Sequence, residues 1–238
     1  MGALELVAVL AAAILGGAVQ TTLGFGGAFV LVPLLAVLRP ELVPGAVLIG
    51  LLPSTALVTW TERRVLDRRS FATMAVWRIP GIAAGTAVVA LASTRVLTLV
   101  IAAALLVAVA VVGGGLRVRR TPVTLGFVGV ASGFTGTAAA LGGPPMALAY
   151  SDEAGPARRA TLSAVATVGV SLALVSLALT GGVGRQDLVP GALIGVGLLV
   201  GTVAVVPVMA RFDDRLLRHG VLAWAGVGAV AAALRALA

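Results

Sequence analysis

Two stretches set small polar side chains beside clustered glycines: QTTLGFGG at 20–27 and SGFTGTAAALGG at 132–143. In the first, Gln20, Thr21 and Thr22 adjoin Gly24, Gly26 and Gly27. In the second, Ser132, Thr135 and Thr137 flank Gly136, Gly142 and Gly143. Glycine takes left-handed backbone angles and lets a ligand come close. A helix that restarts after such a break offers free N–H groups and a positive dipole end. That arrangement suits an anion. The neighbouring hydroxyls and amide would either donate to an oxyanion or re-satisfy the broken backbone.

Arg78, in AVWRIPG, is the one arginine inside an apolar span. Intramembrane charge is costly and reads as functional by default. Arg78 would be the counter-charge of an anionic substrate, or it would snorkel to the interface from seven or eight residues inside its span. Ser54, Thr55 and Thr59, with Ser163, Thr167 and Ser171, recur at helical spacing. They would line a polar path or bond their own helix.

Other chemistries lack their residues. There is no Cys, and the single histidine, His219, lies in the charged stretch RFDDRLLRHG. A serine nucleophile has no partnered base. No span carries Asp, Glu or His at mid-depth, which argues against a carboxylate relay. Asp67, Glu62 and His219, near the loops, stay available for coupling. No enzyme activity, cofactor or metal is expected.

These residues must be held by elements. Of 238 residues, 60% are apolar and 11% charged. A soluble chain is nearer half apolar and a quarter charged. Eight apolar segments run near 3–38, 44–61, 71–92, 96–115, 123–150, 160–181, 188–210 and 217–237. The first is too long for one straight crossing, since 36 residues make about 54 Å of helix against a core of about 30 Å. The N-terminal stretch has no basic n-region and no A-x-A-like site, so it reads as a retained segment. The net charge of +8 comes wholly from arginines scattered through short loops, which favours topogenic charge over nucleic-acid binding.

The chain reads as two halves. Gly26-Gly27 and Gly142-Gly143 are 116 residues apart, as are Gly85-Thr86 and Gly201-Thr202. LVPGAVLIG at 42–50 also resembles LVPGALIG at 188–195, at an offset of 146, which spoils the segment order. Both are read as one helix-entry solution with Pro in the first turn.

Arginines then choose the topology. If every segment crosses once, the two sides hold nine and seven. If the first and fifth segments return to their starting side, the count is twelve against four. The four are Arg39, Arg95, Arg185 and Arg235. The positive-inside rule prefers the second arrangement, with the twelve-arginine side cytoplasmic and both termini outside. Three net crossings per half invert the second half relative to the first. The expected fold is an all-α integral membrane protein of two inverted repeats, 1–120 and 121–238. Each is a glycine-broken helical hairpin (3–38, 123–150) plus three transmembrane helices.

A chain of this length, with two similar halves each opening on a Gly-rich stretch such as GFGGAFVLVP, resembles the sulfite exporter TauE/SafE family. The resemblance covers nearly the whole chain. It implies movement of sulfite, sulfonates or other small sulfur-containing anions across the bacterial inner membrane. The implied motif residues are Gly24, Gly26, Gly27 and Pro33, then Gly136, Gly142 and Gly143. The second half departs from the pattern: Pro144-Pro145 follows the glycine pair, and Ala149 stands opposite Pro33. The reading is a secondary transporter, an exporter by resemblance, alternating its access around the two broken helices. A channel, a carrier of a non-sulfur anion such as a carboxylate, and a membrane scaffold are the alternatives. The expected partners are a small anion and the lipid bilayer, not nucleic acid. Homo-oligomerisation and the coupling ion, a proton among the candidates, stay open.

Overall fold

The computed structural model describes residues 2–116, 118–153 and 155–237. It is all-helical, with no strand among the described residues. In chain order the helices are α1 (Ala3–Leu23), α2 (Gly27–Leu38), α3 (Gly45–Glu62), α4 (Arg68–Leu91) and α5 (Thr94–Gly113). They continue with α6 (Pro122–Ala139), α7 (Gly143–Ala149), α8 (Pro156–Thr180), α9 (Arg185–Val205) and α10 (Asp214–Leu237). Among the described residues, seven helices are long and apolar enough to cross a membrane: α1, α3, α4, α5, α8, α9 and α10. Large apolar side chains such as Leu4, Val76, Leu179 and Val227 stand exposed on the outside. In lipid that surface needs no cover.

Local signals explain the boundaries. Asp67 caps α4 by accepting from Ser70 N–H at 3.1 Å. Thr121 and Thr124 cap α6 reciprocally, with Pro122 in the first turn. Gly181, at φ 78°, ends α8, and Gly182 N–H returns to Leu177 O at 2.8 Å.

α4 packs along α6, and α1 packs along α9. α3 lies against α9 and α8, α4 also against α8, and α5 against α10. Two of these contacts are backbone-close. A Cβ at Gly81 would sit 2.1 Å from Val130 O, and one at Gly201 would sit 1.8 Å from Ile14 O. Such small-residue contacts bring membrane helices together where lipid gives no hydrophobic drive.

Each glycine-rich segment is a pair of helices whose outer ends meet. Glu5 near the start of α1 pairs with Arg39 just past α2, at 3.7 Å. Arg120 before α6 pairs with Glu153 beyond α7 and stacks on Tyr150, 4.7 Å from its ring centre. Both segments therefore return to the end they start from.

The arginines sort accordingly. One end gathers the pairs Glu62–Arg159 and Arg120–Glu153, the Tyr150–Asp67 hydrogen bond, and Arg218 beside Ser151. The opposite end gathers Arg39, Arg95 and Arg235, with Arg185 opening α9. Arg117 and the Arg215 side chain lie outside the described residues.

Candidate functional site

The two breaks differ in how they turn. Between α1 and α2, Gly24 and Gly26 take φ of 78° and 111°, a region that favours glycine. Gln20 holds this turn from both sides. Its Oε1 accepts from Gly27 N–H at 3.1 Å, and its Nε2 donates to Gly24 O at 3.3 Å. Between α6 and α7 the left-handed residue is Ala140, at φ 58°, and neither Gly142 nor Gly143 has positive φ. Here Thr135 bridges the break. Its hydroxyl donates to Leu141 O at 2.9 Å, while Leu141 N–H donates to Thr135 O at 3.0 Å. Gly142 and Gly143 are small for another reason: close approach. A Cβ on Gly142 would meet Arg78 Nη2 at 3.1 Å, and one on Gly143 would meet Phe25 Cβ at 3.0 Å. The tip of one pair thus touches the tip of the other.

A cavity lies between the tips, with about 40 Å³ open to the centres of water-sized groups. That is room for a few waters or one small ion. Gln20, Thr55 and Arg78 are its polar side chains, in a wall otherwise apolar or glycine. Phe25, Phe29, Leu51, Leu141 and Met146 form much of the rest.

Arg78 is its charge. It stands ten residues into α4, about 15 Å along the helix, or half the bilayer core. Only 3% of it is exposed, so it does not snorkel. Nη1 donates to Ser132 Oγ at 2.9 Å and approaches Met146 Sδ at 3.6 Å. Ser132 Oγ in turn donates to Gly142 O, tying the guanidinium to the second break. Nε is buried without an acceptor. Among the described residues no carboxylate pairs with Arg78. An uncompensated buried charge is strongly unfavourable.

Gly169 on α8 makes the space for that guanidinium. A Cβ there would fall 2.2 Å from Arg78 Nε and 2.3 Å from Cζ. Sequence reasoning missed Gly169, because a lone glycine in a membrane helix looks like ordinary packing.

The remaining candidates divide. Gln20, Gly24, Gly26, Gly136, Gly142, Gly143 and Arg78 line the cavity. Gly27 is one turn residue away, its N–H already taken by Gln20. Thr21 and Thr22 bond Gly17 O and Ala18 O of their own helix, both at 2.9 Å, and are not in the wall. Thr135 serves the break, and Thr137 is buried with no partner for its hydroxyl. Thr55 alone of the two hydroxyl rows faces the cavity, while Thr59 and Thr167 bond each other across α3 and α8 at 3.1 Å. Pro33 packs on α10, where a Cβ at Gly228 would be 2.2 Å from its own.

Toward the arginine-rich end, Gly24 abuts the backbone of Arg159. Arg159 pairs with Glu62, Nε to Oε1 at 2.9 Å, joining α3 to α8 beyond the first tip. Nearby, burial pushes the Asp67 carboxyl up. Hydrogen bonds from Ser70 and Tyr150 and the charge of Arg120 outweigh it and hold the group below its ordinary value.

No curated protein and no solved structure matches this chain. The model of one family, described as sulfite exporter TauE/SafE, matches residues 9–232. The chain belongs to the sulfite exporter TauE/SafE family.

Proposed function

We propose that this TauE/SafE member is a secondary transporter that exports a small sulfur-containing anion, such as sulfite or an organosulfonate, across the bacterial inner membrane. The observation that carries the reading is Arg78. It is a buried guanidinium with no carboxylate partner among the described residues, in a cavity bounded by both helix breaks. A scaffold has no use for such a charge. Non-helical backbone at this depth survives only where protein or a cavity satisfies it. Gln20 and Thr135 supply that satisfaction here.

The proposed architecture is two inverted repeats, α1–α5 and α6–α10, each opening with a glycine-broken hairpin. Exchanging the halves maps the α4–α6 contact onto α9–α1, and α3–α9 onto α8–α4. It leaves α3–α8 and α5–α10 on themselves. Register supports the same reading. Gly201 meets Ile14 O and Ala18 N, and Gly81 meets Val130 O and Phe134 N. Ile14 and Ala18 stand 116 residues before Val130 and Phe134. By contact, then, Gly201 answers Gly81, 120 residues earlier, and not Gly85. The same 120 separates Asp67 from Asp187, each at the start of its helix. The end holding Glu62–Arg159 is cytoplasmic in this reading, and both termini are outside. Access alternates as the repeats rock around the tips.

The test is sulfite efflux from proteoliposomes containing the full chain. Wild type is expected to give saturable efflux, and Arg78→Gln to lose at least about tenfold, the effect of roughly 1.4 kcal/mol. Unchanged efflux in a folded variant would remove Arg78 from the site. No efflux of any anion from folded wild type would remove the transporter reading.

A further inference from the structure

The cavity holds one charge and little else that is polar. Taken element by element, the wall receives Gln20 from α1, Thr55 from α3 and Arg78 from α4. α2, α6, α7 and α8 bring apolar side chains, proline and glycine, and no titratable group. Around the guanidinium itself, α6 offers Ser132, α7 offers Met146 and α8 offers only the space at Gly169. Past the first tip, Glu62 pairs with Arg159 through Oε1 and Asp67 accepts from Tyr150.

From this inventory we propose that the site accepts oxyanions bearing a single negative charge and rejects dianions of the same shape. The inference rests on the transporter reading above and narrows its substrate.

The physical reason is the balance of charge in a mostly apolar pocket. A monoanion beside Arg78 makes a neutral pair. A dianion leaves about one negative charge without a partner in a medium where isolated charge is heavily penalised. The α2 dipole adds at most about half a positive charge, and Gln20 already occupies the Gly27 N–H at that terminus. Neither neutralises a second charge. The apolar wall works the same way. Phe25, Phe29, Leu51 and Leu141 offer nothing to solvate a fourth charged oxygen, but they suit a methyl group or a short carbon chain. Oxygens thus face Arg78, and the remaining side of the anion faces hydrocarbon.

For sulfite this selects hydrogensulfite, the form with one proton retained. The proton then crosses with the anion, and no protein group in the wall has to titrate. The pH dependence of sulfite flux becomes a property of the substrate.

Methanesulfonate and sulfate separate charge from shape. Both are tetrahedral about sulfur with the same number of heavy atoms, and their charges stay fixed near neutral pH. Proteoliposomes with the full chain are loaded with sulfite, and efflux is followed from about pH 6 to about pH 9. Efflux is expected to fall by up to about tenfold per unit above the ionisation of hydrogensulfite. Methanesulfonate flux is expected to stay level over the same range. Methanesulfonate on the loaded side should inhibit sulfite efflux, whereas sulfate at about a hundredfold excess should not. Inhibition by sulfate equal to that by methanesulfonate would overturn the proposal. So would sulfite efflux that is level or rises with pH while methanesulfonate flux is level. In either outcome transport persists and only the charge rule fails. Absence of flux for all three anions would instead strike the transporter reading itself.

Discussion

Arg78 is held in place by residues that do little else. Gly169 gives it volume, Ser132 fixes one nitrogen, and nothing accepts from Nε. In the proposed function, an empty site carries an unfavourable charge that an anion relieves. Thermal unfolding in detergent tests this directly. A bound monoanion at about a hundred times its dissociation constant should stabilise wild type by about 2.7 kcal/mol, and Arg78→Gln by nothing. Gly169→Val would push the guanidinium aside and should abolish that anion-dependent shift while the protein still folds. By contrast, Thr21→Val and Thr22→Val should leave sulfite efflux unchanged. Their hydroxyls serve their own helix. Residue types made all of these polar groups candidates alike. The sequence could not separate a hydroxyl bonded to the i−4 carbonyl from one facing a cavity, because the difference lies in helix rotation. Arg78 stood out because charge in an apolar run is visible without coordinates.

At the scale of elements, each break is held by one side chain reaching back over it. Gln20→Ala should free Gly27 N–H and Gly24 O together. The expected loss is about 1–3 kcal/mol for a buried unsatisfied group, read as a lower unfolding temperature and reduced efflux. At the other end of the chemistry, Asp67 caps α4 and binds Tyr150. Its carboxyl titrates below the ordinary 3.8 in the folded protein. The stability it contributes is complete above that value and is lost as pH falls through the lowered one. Asp67→Asn should therefore lower stability near neutrality, change little at strongly acid pH, and so flatten the acid side of the unfolding profile. The first break was legible because two left-handed positions require glycine. The second was legible only in part. The glycine pair Gly142-Gly143 gave its neighbourhood, but the turning residue is Ala140, a type with no preference for φ of 58°.

For the whole molecule, the arginine count groups the loops into two ends. Glu5–Arg39 and Arg120–Glu153 carry that grouping in atoms. Reporter fusions after Arg39 are expected to report the periplasm and fusions after Arg159 the cytoplasm. A cytoplasmic Arg39 would break the proposed topology. In the proposed repeat, the 116-residue spacing pairs the two glycine-rich stretches. For α4 and α9 the contacts give a spacing of 120 in that proposed repeat. Small residues four apart lie on one helix face, so Gly81 and Gly85 are equally good partners for Gly201 until the neighbouring helix is known.

The same register sets Leu198 opposite Gly17, where the first half has Arg78 opposite Gly133. One half supplies a cation and the other does not. In the transport cycle proposed here, the empty carrier bears a net charge at mid-depth and the loaded carrier bears none. Membrane voltage then acts on the empty return and leaves the loaded step alone. Each charge moved across the full field is worth about 2.3 kcal/mol per 100 mV. Turnover should consequently respond to a clamped potential when return limits the rate, while the bound complex crosses electrically silent.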